Sequence, residues 1–124
     1  MCSQPESVST RSQCMVDDHW DETTVALSCT GTLDMLTAPE LERRIASALD
    51  KRPTAVIVDL SRVDFLASHC MRVLIATAEL CAATTRFSLV ADGPATSRPM
   101  QLIGLTASVT VHATLSDALN DLRA

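Results

Sequence analysis

Apolar residues recur with two different periods along the chain, and the change of period marks the predicted elements. Apolar and polar positions alternate between residues 24 and 30, which is typical of a strand with one buried face. Residues 13–18 predict an earlier strand, and the acidic stretch 17–22 predicts the turn of a hairpin between the two. Residues 1–12 are polar without a clear period, so we expect a flexible N-terminal tail there.

The helices are predicted from apolar residues spaced three and four positions apart. Thr37-Ala38-Pro39-Glu40 has the pattern of a capping box, and the apolar period that follows predicts a helix ending near Asp50. A second helix is expected over residues 68–81 and a short one around residues 97–103. A terminal helix is expected to begin at a cap formed by Ser116.

The remaining strands are predicted from runs of β-branched and aliphatic residues. Residues 55–60 are almost continuously apolar, which indicates a central strand buried on both faces, and residues 61–66 are expected to be a loop. Two further strands are predicted at 87–91 and 108–112. After the hairpin, strands alternate with helices, so residues 13–124 are predicted to form one α/β domain. Its mixed, mostly parallel β-sheet would be covered by about four helices.

Composition and charge exclude several classes of protein. The chain has 124 residues, the size of one domain, and only 2% are aromatic, so stacking platforms for nucleobases are nearly excluded. A net charge of −5 argues against binding nucleic acid through its phosphates. No apolar run is long enough to span a bilayer, and the N-terminus does not have the pattern of a secretory signal. We therefore expect a cytoplasmic protein without a nucleic-acid or membrane partner.

Motifs for catalysis or for cofactor binding are absent from the sequence. Three glycines cannot make a phosphate-binding loop, and five cysteines without a Cys-x-x-Cys pair do not have the spacing of a zinc site. We predict no enzyme activity, no metal and no cofactor. Cys70 is a candidate for oxidation, because a helix N-terminus lowers the pKa of a thiol.

Ser68 is the hydroxyl residue at the predicted start of the second helix. As a helix cap it would contribute about 1 kcal/mol to stability. As an exposed hydroxyl at a helix N-terminus it is also a phosphorylation candidate, because an added phosphate interacts favourably with the helix dipole. Both interpretations are compatible with its position.

Several short motifs resemble, in their order and spacing, the STAS domain of bacterial anti-sigma factor antagonists. They are Gly31-Thr32-Leu33-Asp34, Ala38-Pro39-Glu40-Leu41, Ile57-Val58-Asp59-Leu60-Ser61, Val63-Asp64-Phe65-Leu66 and Gly104-Leu105. A looser match follows at residues 115–119, and the resemblance spans residues 13–122. It implies the STAS fold and a protein that binds an anti-sigma factor, of the histidine-kinase-like ATPase fold, and so releases a sigma factor for transcription.

The chain departs from the family at the start of the second helix. The family typically has Asp-Ser-Ser/Thr-Gly there, and the second hydroxyl is phosphorylated by the partner kinase. This chain has Ala67-Ser68-His69-Cys70. Either Ser68 is the phosphate acceptor, or the phosphorylation switch is absent and control takes another route, such as Cys70. The resemblance implies partner contacts at Asp34, Phe65, Leu66, Ser68, His69, Met71 and Arg72.

Two alternative functions are compatible with the same fold. STAS domains also occur as accessory subunits of transport complexes, and the position of Cys70 allows a thiol-based redox-sensing regulator. Genes for a permease beside the gene would favour the first alternative. A disulfide of Cys70 that changes partner binding would favour the second.

Overall fold

The computed structural model describes residues 14–81, 84–91 and 109–123. The tail expected at residues 1–12 and the short helix expected at 97–103 lie outside this part. The described residues form five strands and three helices: β1 (Cys14–Asp21), β2 (Thr24–Leu33), α1 (Ala38–Leu49), β3 (Ala55–Leu66), α2 (Ser68–Cys81), β4 (Arg86–Val90), β5 (Thr110–His112) and α3 (Leu115–Arg123). None of these helices is long and apolar enough to cross a membrane.

The five strands form one sheet in the order β1-β2-β3-β4-β5. Strand β1 runs antiparallel to β2, and each of the other neighbouring pairs is parallel. The predicted mixed α/β fold with an opening hairpin is therefore confirmed. Because β2 and β3 are parallel, their carboxyl ends lie at the same edge of the sheet.

Alternation of side chains divides the sheet into two faces with unequal cover. Val56 and Val58 of β3 belong to the larger apolar core, which includes Leu41 of α1 and Leu74 of α2. Ile57, between the two valines, faces the opposite side and belongs to a smaller cluster that α3 joins through a buried alanine. The uninterrupted apolar run of β3 follows from this cover on both faces.

Two of the predicted strand boundaries are wrong. Strand β1 continues through the acidic stretch to Asp21, and the hairpin turns at Glu22, whose φ of 57° is left-handed. Strand β3 continues through the expected loop at residues 61–66, because it stays paired with β2 across two register shifts until Leu33 meets Leu66. This extension carries the end of β3 to the start of α2.

The predicted helix caps also differ from the observed ones. Thr37 is the N-cap of α1, but its side chain makes no capping hydrogen bond, so the predicted capping box is wrong. At α3 the cap is formed by Thr114 rather than by Ser116, because the Thr114 hydroxyl accepts a hydrogen bond from the Asp117 amide at 3.1 Å. Such a bond satisfies one of the free amides of the first turn.

Candidate functional site

The start of α2 is held against the end of β2. The Ala67 amide donates a hydrogen bond of 2.8 Å to the Leu33 carbonyl, immediately after Leu33 and Leu66 pair in the sheet. One residue earlier, Thr32 pairs with Phe65. Crevices for ligands and partners in parallel sheets form beyond the carboxyl ends of strands, and the first turn of α2 occupies this position.

The turn that follows β2 is fixed by reciprocal hydrogen bonds between Asp34 and Thr37. The Asp34 carboxylate accepts from the amides of Leu36 at 2.9 Å and Thr37 at 3.1 Å. The Thr37 hydroxyl accepts from the Asp34 amide at 2.8 Å and donates to the Thr32 carbonyl at 2.8 Å. The Thr37 hydroxyl therefore binds the preceding turn, which is why it does not cap α1.

Helix α2 begins at Ser68, with Ala67 as its cap residue. The Ala67 carbonyl accepts hydrogen bonds from the amides of Cys70 at 3.0 Å and Met71 at 3.2 Å. Ser68 is thus the first helical residue, and the interpretation of Ser68 as the helix cap is wrong. Both Ser68 and His69 are exposed, and neither side chain has a hydrogen bond or ion pair to another described residue.

The predicted contact residues divide into exposed and buried groups. Ser68 and His69 are exposed in the first turn of α2, and the exposed Arg72 lies beside them in the next turn, because residues three and four apart share a helix face. Phe65 is 54% exposed. Leu66 and Met71 are buried in the core and present no side chain to a partner. The Asp34 carboxylate is already used inside its own turn.

Sequence reasoning missed two apolar residues beside the site. Met35 and Leu36 are 71% and 77% exposed in the turn between β2 and α1. Both lie outside the apolar period of the helix that follows, and this was the signal that could have identified them as surface residues. Two large apolar residues that neither strand nor helix periodicity places in the core point to a contact surface.

The structure contradicts the reason for assigning reactivity to Cys70. Its side chain is fully buried, and its thiol donates a hydrogen bond of 3.4 Å to the Asp34 carbonyl. Burial, followed by the nearby Asp34 carboxylate, raises the pKa of the Cys70 thiol to about 11. The thiol is therefore protonated near neutral pH, and the expected lowering by the helix N-terminus is wrong.

Within the described ranges, no group of three or more histidine, cysteine, aspartate or glutamate side chains is arranged to hold a metal ion. Three polar groups at the start of α2 have no partner in the described residues: the Ser68 hydroxyl, the His69 imidazole and the Arg72 guanidinium. These groups can donate hydrogen bonds to another protein, and the hydroxyl can also accept a phosphoryl group.

The fold agrees with a known family. The family model of the STAS domain matches residues 16–118, which is most of the chain. The chain belongs to the STAS domain family.

Relatives and solved structures narrow the resemblance within that family. The anti-sigma-F factor antagonist RsfB of Mycobacterium tuberculosis is 37% identical over 121 residues, which cover 98% of this chain and 94% of RsfB. The crystal structure of an anti-sigma factor antagonist from Mycobacterium paratuberculosis superposes with a TM-score of 0.87 at 38% identity, covering 90% of this chain and 96% of that one. Unphosphorylated SpoIIAA from Bacillus shares the fold, with a TM-score of 0.72 at 22% identity over 88% of this chain and 96% of SpoIIAA.

Proposed function

We propose that this chain is an anti-sigma factor antagonist, which binds an anti-sigma factor and so frees a sigma factor for transcription. The observation that carries the proposal is the 37% identity, over nearly the whole of both chains, to an anti-sigma-F factor antagonist. The chain acts in the cytoplasm by binding rather than by catalysis. Its partner has the histidine-kinase-like ATPase fold.

The contact surface is centred on the exposed start of α2. Ser68, His69 and Arg72 supply its polar groups, and Phe65 supplies an exposed apolar side chain at the end of the neighbouring strand. Asp34 acts indirectly, because its carboxylate holds the adjoining turn in place. Leu66 and Met71 support this surface from the core.

Ser68 is the phosphate acceptor of this surface. The partner kinase transfers the γ-phosphoryl group of ATP to the exposed hydroxyl and releases ADP. The phosphate adds about −1.5 to −2 charges at the centre of the contact surface. Removing that charge from water in a protein interface is costly, so phosphorylation releases the partner.

A binding assay with purified anti-sigma factors of the same bacterium tests both parts of the proposal. Wild-type chain and Ser68→Ala are expected to bind one of them, and Ser68→Asp is expected to bind more weakly by at least about tenfold. Ser116→Asp is the matched control, because Ser116 is an exposed serine in the first turn of a different helix, α3. It should bind like the wild type.

The outcomes separate the binding role from the switch. If neither the wild type nor Ser68→Ala binds any anti-sigma factor, the proposed function is wrong. If Ser68→Asp binds as tightly as Ser116→Asp, Ser68 is not the switch. Incubation with the bound kinase and ATP, followed by phosphosite mapping, should place the phosphate on Ser68.

A further inference from the structure

We draw no further inference here: the strongest candidate, the exposed surface patch that Met15, Thr30 and Arg62 form where they pair across β1, β2 and β3 on the sheet face away from α1 and α2, carries nothing because nothing in the structure shows what covers it.

Discussion

The turn between β2 and α1 depends on one hydroxyl, and replacing Thr37 by valine tests this dependence. Valine has nearly the same shape as threonine but can neither donate nor accept a hydrogen bond. Thr37 is buried, with 6% of its surface exposed, so water does not readily replace the lost partner. The Asp34 amide and the Thr32 carbonyl each lose a bond of 2.8 Å.

The two bonds set the expected loss of stability. An intramolecular hydrogen bond contributes about 1 kcal/mol on balance, and a buried group left without its partner costs about 1–3 kcal/mol. Thr37→Val should therefore lower the free energy of unfolding by about 2 kcal/mol or more. With a urea slope of about 1–2 kcal/mol per molar, the unfolding midpoint should fall by roughly 1 M or more.

Thr77 offers a matched control inside the same molecule. It is equally buried, with 5% of its surface exposed, and its hydroxyl donates to the Val73 carbonyl at 2.8 Å within α2. That carbonyl also accepts the ordinary helical bond from the Thr77 amide, so Thr77→Val leaves no backbone group without a partner. Its cost should be below about 0.5 kcal/mol.

Urea unfolding followed by circular dichroism measures both variants. Thr37→Ser keeps the hydroxyl and should retain most of the stability that Thr37→Val loses. The reasoning is refuted if Thr37→Val and Thr77→Val unfold at the same urea concentration.

Three further predictions concern the core, the thiols and the terminal helix. Leu60→Ala, which empties a fully buried position in β3, should cost about 2–5 kcal/mol in urea unfolding; a cost below 1 kcal/mol would contradict the packing. At pH 8 the thiol of Cys70, with its pKa raised to about 11, should be alkylated roughly a hundredfold more slowly in the folded than in the unfolded chain, and mass spectrometry should find the partly exposed Cys14 modified before the other three cysteines that the structure describes. Ala118→Glu places a charge at the buried contact of α3, so hydrogen exchange should speed up in α3 and not in the sheet; protection retained in α3 would show that the helix is held otherwise.

Periodicity predicted the strands and helices where burial on one face decides the residue type. The alternation from Val25 to Cys29 and the apolar run from Ala55 to Leu60 correspond to strands because the sheet buries those side chains. The apolar run ends at Leu60, and residues 61–66 are predicted as a connecting loop. Pairing with β2 keeps the segment extended, and pairing between distant segments cannot be read from local pattern.

The candidate site was predicted in position but not in detail. The motif order located the start of α2, and the structure places Ser68, His69 and Arg72 on its exposed surface. Burial of Leu66 and Met71 was not predicted, because the elements packed around them decide which side chains of the segment face the core. The high pKa of Cys70 has the same origin: desolvation depends on packing, and the sequence shows only the proximity to a helix N-terminus.

The strands stand in the sheet in the same order as in the chain, which has a consequence for how the protein is made. Each strand from β2 to β5 pairs with the strand that precedes it, so none has to insert between two others. A chain that emerges from the ribosome N-terminus first can therefore add each strand to an edge that already exists. Every stage of synthesis leaves a narrower version of the final sheet with one open edge for the next strand. Fewer contacts between distant parts of the sequence are needed than in a sheet whose strand order differs from the chain order.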